Sequence, residues 1–167
     1  GESAGGNLAA CVSLMCRDRR PPGIHIAHQV LISPCVLARP LRPSRTDPAR
    51  ANGAFLPAWL MNWFEESYAG GMSVEQLSEQ PYASPLAAGS LRGLPPLTGI
   101  VGSAEVLRDE GVEYFQAVKS AGGDTDWREF AGGFHAFQIF PFGQSEDAWQ
   151  YVRRRLYTTS GLFPRTP

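Results

Sequence analysis

Hydrophobic and polar positions along this chain switch repeatedly between a helical and a strand period. From Ser3 to about Asp18, Leu8, Ala9, Val12, Met15 and Cys16 return at helical spacing and predict a helix with those residues as its apolar stripe. Arg17, Arg19 and Arg20 suit its C-terminal end, and Pro21-Pro22-Gly23 stops it. Ile24 to Ile32 reads as a buried strand closed by Ser33-Pro34. Val36 to Phe55 is rich in proline and arginine (Arg39, Pro40, Arg42, Pro43, Arg45, Pro48, Arg50) and predicts an irregular surface crossing with solvated arginines. Leu56 to Tyr68 predicts an amphipathic helix whose stripe of Leu56, Trp59, Leu60, Trp63 and Phe64 is core, with a share left over to line a pocket. Gly70-Gly71 ends it, and Ser73 with Gln76 forms a capping box for a short helix reaching Glu79. Pro81 to Leu86 reads as a loop.

After Pro95-Pro96, Leu97 to Val101 is a second buried strand. A helix follows from about Asp109 to Ala121, with acids in its first turn, an apolar face of Val112, Phe115 and Val118, and Gly122-Gly123 at its end. Thr125 to Phe130 is a third strand, and Ala131 to His135 is the glycine-rich loop after it. Ser145 caps a last helix carried by Ala148, Trp149, Val152 and Leu156, and the tail after Ser160 is expected to be loose. Alternation of helix and strand implies a parallel sheet with helices on both faces, and no repeat or long linker divides the chain.

Composition narrows the classes of function. The 167 residues suffice for one domain with a core, and 43% hydrophobic with 19% charged residues is ordinary for a globular chain. A net charge of −1 points to no nucleic-acid or membrane-surface partner, and no apolar run is long enough to span a bilayer. Cys11, Cys16 and Cys35 are too few and scattered for a disulfide framework or zinc site and read as small apolar fillers. His25 and His28, three apart on a strand, would point to opposite faces, which argues against a shared metal. Nothing in the sequence sets the oligomeric state. No leader is in view, so the compartment stays open, with the cytoplasm as the default.

The candidate chemistry lies at the start. Gly1-Glu2-Ser3-Ala4-Gly5 is a G-x-S-x-G pattern running into a helix, the sequence of a nucleophile elbow. Small residues are needed there because the serine backbone is strained, and Gly1 and Gly5 are expected to leave the space empty. The helix N-terminus would direct free N–H groups toward negative charge at Ser3. In an open parallel sheet functional residues gather after the strands' C-terminal ends, which selects Ser3, Glu105 after the second strand and His135 after the third. Ser, acid, His is the chain order of the α/β-hydrolases. Asp109 is the other acid that could orient the histidine, although it also reads as a first-turn helix acid.

The longer string Gly1-Glu2-Ser3-Ala4-Gly5-Gly6-Asn7-Leu8-Ala9-Ala10 resembles the elbow of the hormone-sensitive-lipase-like esterases in the α/β-hydrolase superfamily. Ser33-Pro34, Tyr82 to Leu86, Leu107 to Gly111 and the His135 loop resemble the same family, so the likeness covers almost the whole chain. It implies an α/β-hydrolase fold, here as one partial domain over residues 1–167 running from elbow to C-terminal helix. It also implies hydrolysis of carboxylic esters with small or medium acyl chains through an acyl-enzyme, without cofactor or metal. Ser3 would be the nucleophile, Glu105 the acid, His135 the base and the Ala4 N–H an oxyanion donor. Three positions depart from the family pattern. Glu105 stands where Asp is usual, Ala136 where Gly is usual, and Cys35 where an aromatic is common. The stretch His135-Ala136-Phe137-Gln138 is similar to the lactone-hydrolysing branch, so a lactonase or amidase on the same triad is a further reading, as is a non-catalytic ligand-binding protein on this fold.

The His-Gly-Gly-Gly-type loop that supplies the other oxyanion donors in this family does not occur in the sequence, and the chain opens without methionine on the elbow itself. The expectation is therefore the C-terminal part of a longer enzyme. Taken alone, it would have a raw sheet edge and little activity or poor folding.

Overall fold

The structure is a computed structural model that describes residues 1–38, 42–141 and 143–159. Its centre is a parallel three-stranded sheet in the order β1 (Gln29–Ile32), β2 (Leu97–Gly102), β3 (Thr125–Phe130). Gln29 lies opposite Leu97, and Leu97 opposite Thr125, so the strands start level and their C-terminal ends share one edge. Every residue of β2 is buried, as expected of a central parallel strand covered on both faces.

The two faces follow from the strand period. Leu31, Leu97 and Val101 pack with Ala10 and Leu14 of α1 (Ala4–Arg19) and with Tyr114, Phe115 and Val118 of α6 (Arg108–Ser120). Ile32, Ile100 and Phe130 point the other way, onto Ala148, Tyr151 and Val152 of α7 (Ser145–Thr159). The α7 end is tied down by His28, whose ring lies 2.9 Å from Thr98 Oγ1 and 3.0 Å from Thr159 Oγ1. Between β1 and β2 the chain forms α2 (Pro43–Thr46), α3 (Pro48–Ala51), α4 (Ala58–Ala69) and α5 (Val74–Ser78). The capping box of Ser73 and Gln76 is present at α5. None of the helices among the described residues is long and apolar enough to cross a membrane.

Several expected features differ. The first strand is short: residues 24–28 lie outside it and Ile24 is exposed, because β2 pairs only from Leu97, after two prolines that have no N–H to offer. The inward face of α1 is Gly6, Asn7, Ala10, Cys11, Ser13 and Leu14, while Leu8 and Val12 face outward. Small residues let the helix close on the sheet, so the larger apolar residues lie off the contact. In α4 the buried positions are Met61, Glu65 and Ala69, one turn apart, and Trp59 and Trp63 are 68% and 58% exposed. The Pro/Arg stretch carries two short helices where an irregular crossing was expected, and its arginines are not all solvated. Arg45 is buried and Arg42 pairs with Glu113 at 2.8 Å. Ser145 is the first residue of α7 and not its cap; the Ala148 N–H bonds the carbonyl of Gln144. Pro85–Ala87 adds a 3₁₀ turn to the expected loop. The stretch after Ser160, with Arg39 and Pro40, lies outside the described residues.

The expected raw edge at β1 is partly occupied. Ile32 N–H bonds Gly1 O at 3.0 Å, Ser3 N–H bonds Ile32 O at 2.9 Å, and the Gly1 amine bonds Val30 O at 2.7 Å. Gly1 and Glu2 thus run parallel beside β1 and place Ser3 at the sheet's C-terminal edge.

Candidate active site

Ser3 stands at the turn into α1 with φ 55° and ψ −121°, outside the regions a non-glycine residue ordinarily occupies. Its N–H is held by Ile32 and its carbonyl accepts from Asn7 N–H at 3.0 Å, which fixes the turn from both sides. A Cβ on Gly1 would lie 2.0 Å from the Gly5 carbonyl oxygen, so only glycine fits at the approach to the turn. Gly5 itself differs from expectation: a Cβ there meets nothing within 4 Å. The tight position is Gly6, where a Cβ would sit 2.9 Å from Pro34. The N–H groups of Ala4 and Gly5 precede the first intrahelical bond, Asn7 to Ser3, and form the free N-terminal end of the helix.

Asn7 joins the elbow to the loops around it. Its Nδ2 donates to Cys35 O and Ala83 O, both at 2.7 Å. Asn7→Ala strands two carbonyls, at about 1–3 kcal/mol for each that stays dry. A fall of several degrees in Tm is expected in a thermal melt; an unchanged Tm would mean water replaces the amide.

Ser3, Glu105 and His135 meet across 132 residues of chain. His135 Nε2 is 2.9 Å from Ser3 Oγ, and His135 Nδ1 is 2.8 Å from Glu105 Oε2. Glu105 is buried, and its Oε1 accepts from Ser33 Oγ and from the Gly102 N–H, each at 2.7 Å. With both oxygens occupied, the carboxylate can turn only by breaking hydrogen bonds. The longer Glu side chain therefore reaches the imidazole in the position where Asp is usual. Asp109, the other acid considered, lies elsewhere: it accepts from Ser44 N–H and Arg108. Ala136 adopts φ 63°, the left-handed region glycine favours, which gives a physical reason for glycine being usual there.

Three features of the site were not read from the sequence. Ser33, buried with φ 44°, orients Glu105 from the end of β1; the Ser33-Pro34 pair had marked a strand end and a family likeness, with no role for the serine. Phe55 stands with its ring centroid 6.5 Å from that of His135. The third is a buried ion cluster. Arg45 Nη2 donates to Glu65 Oε1 and Glu110 Oε2, both at 2.8 Å. Glu110 also accepts from Val36 N–H at 2.9 Å, so this acid is more than a partner for the helix dipole. Burial pushes its carboxyl up to about 7 against the pull of Arg45.

Beside Ser3 opens a cavity of about 470 Å³. Its wall is mostly apolar, with Leu8, Leu56, Met61, Phe64 and Leu77 lining it and Glu65 as the one carboxylate among the described residues there. Cys35 lines it too, where a larger aromatic would take up space, and burial holds its thiol well above the usual range. Among the described residues no cluster of three or more His, Cys, Asp or Glu is arranged to hold a metal ion.

The profile of a family described as the alpha/beta hydrolase fold matches residues 1–139. The chain belongs to this family, the hormone-sensitive-lipase-like α/β-hydrolases. Relatives of this α/β-hydrolase include the carboxylic ester hydrolase LipN of Mycobacterium tuberculosis, 34% identical over 151 residues, or 86% of this chain and 38% of LipN. The Pyrobaculum calidifontis esterase superposes with a TM-score of 0.84 at 33% identity, covering 95% of this chain and 50% of that one. A thermostable esterase from Pseudomonas putida ECU1011 gives 0.85 at 30% identity, covering 98% and 51%. The chain thus spans half or less of the length of each of these relatives. The three-stranded parallel sheet with helices on both faces matches the expected fold class.

Proposed function

We propose that the protein hydrolyses carboxylic esters of small or medium acyl chains through an acyl-enzyme on Ser3. One observation carries the reading: His135 bridges Ser3 Oγ and the buried Glu105 carboxylate at 2.9 and 2.8 Å. A serine alcohol is a weak nucleophile until a base takes its proton. His135 Nε2 accepts that proton as Ser3 Oγ attacks the ester carbonyl. The imidazolium then passes it to the leaving alcohol as the carbon–oxygen bond breaks. Glu105 holds Nδ1–H, selects the tautomer and stabilises the imidazolium. The Ala4 N–H, at the free end of α1, donates to the oxyanion. Water deprotonated by His135 then attacks the acyl carbonyl and releases the acid. No step requires a cofactor, and the apolar cavity beside Ser3 accepts the acyl chain.

The activity is proposed for the protein in its full reading frame, where a second oxyanion donor is expected. The deciding experiment is fluorophosphonate labelling of that protein, followed by intact mass and peptide mapping. One adduct on Ser3, abolished in His135→Ala, is the expected result. A folded protein that takes no label would mean that Ser3 is not activated, and the ligand-binding reading would replace this one.

A further inference from the structure

The cluster of Arg45, Glu65 and Glu110 sets two carboxylates on one guanidinium nitrogen, and all three side chains are at most 5% exposed. With both acids ionised the group carries a net charge of −1 among buried side chains. Its hydrogen bonding is also incomplete: Arg45 Nε and Nη1 and Glu65 Oε2 are buried without partners. Removing a lone charge from water is costly, so such a site favours uptake of a proton. The groups facing it belong to four segments. Arg45 comes from α2, Glu65 from α4 and Glu110 from α6, while the stretch after β1 gives the Val36 N–H and the Cys35 thiol. Arg42, paired with Glu113, contributes charge from further away. Of these, Glu65 and Cys35 also line the cavity, and α4 adds Met61, Phe64 and Tyr68 to the same wall.

We propose that the Glu65–Arg45–Glu110 cluster is a proton-dependent latch. With a proton on Glu110 the cluster holds α4, and with it the wall of the cavity beside Ser3. When that proton leaves, the wall loosens. The direction agrees with the Glu110 carboxyl, which burial raises from 4.5 to about 7. A carboxyl raised on folding gives its full stability below its unfolded value, and that contribution is lost as pH rises through the folded one. The latch therefore weakens between about pH 5 and pH 7 and stays weak above. Arg45 and Glu65 are positioning residues in this scheme, acting through α4.

Glu65→Gln and Glu110→Gln each keep an acceptor for Arg45 and remove the surplus charge. In the full-length protein, melted from pH 5 to pH 8, each variant is expected to gain Tm over the native protein at pH 8 and to lose that gain at pH 5. Curves that run parallel would overturn the latch. The native protein supplies an arm that needs no variant. Amide exchange in α4, corrected for intrinsic rates and compared with α7, should speed up between pH 6 and pH 8; equal protection at both would also overturn it. A third arm rests on the proposed esterase activity. The ratio of native to Glu65→Gln KM for an aryl hexanoate should rise about three- to tenfold over the same range, up to one pKa unit of coupling, while the kcat ratio holds. Absence of hydrolysis at any pH would count against the esterase reading and leave the Tm and exchange arms standing.

Discussion

His135→Ala is expected to lower kcat for an aryl ester by about 10⁴- to 10⁶-fold and to leave KM within a few-fold. Among the described residues it is His135 that hydrogen-bonds both Ser3 Oγ and Glu105, so on the proposed mechanism its loss removes the base, the acid and the orienting contact together. Rate above the uncatalysed reaction would come from the helix N–H groups and from binding. Ser3→Ala should cost a similar factor, and the double variant little more, because residues acting as one unit are not additive. Steady-state kinetics beside a thermal melt would check this. A loss below a hundredfold in a folded variant would point to another base, and Glu2, 4.0 Å from His135 Nε2, is the carboxylate to test next.

The second large effect is expected away from the reacting atoms. A Cβ on Gly102 would stand 2.1 Å from the Gly133 carbonyl oxygen, so Gly102→Ala must push the end of β2 and the histidine loop apart. Both ends of the Glu105–His135 bond sit on those segments, and the Gly102 N–H itself holds Glu105. A displacement near one ångström at a catalytic group costs about 10²-fold in rate. Gly102→Ala is therefore expected to lose at least about that much kcat while still folding. Gly89→Ala, where the added carbon meets nothing within 4 Å, should behave as native. Equal kcat for the two variants would show that the loop yields without moving His135.

The strands and helices were legible where periodicity and punctuation agree. The α6 segment has acids at its start, Val112, Phe115 and Val118 inward and glycines after its end, and it folds as read. The meeting of Ser3, Glu105 and His135 was legible because Ser3 stands in a G-x-S-x-G turn while Glu105 and His135 follow the second and third strands, and parallel strands bring such ends to one edge. What failed was the facing of helices against partners distant in the chain. In α4 the aromatic positions outweigh Met61, Glu65 and Ala69 in any apolar count, yet Glu65 turns inward because Arg45, twenty residues earlier, is already buried there. A buried charge pair resembles two surface residues in sequence, since nothing local marks the partner. Ser33 was missed for the same reason: its role lies in a carboxylate 72 residues away.

The contact between Ser3 and His135 encloses 132 residues in one loop, almost the whole described chain. Closing a loop costs entropy that grows slowly with length, about 0.6 kcal/mol for each doubling. Length within the loop is therefore thermodynamically cheap, and the segment between β1 and β2 is free to vary in size without dissolving the contact. Kinetically the same contact is late. It joins the turn into α1 to the loop after β3, and it cannot persist until three parallel pairings of distant segments are in place. The geometry at Ser3 is thus among the final things the folding chain acquires.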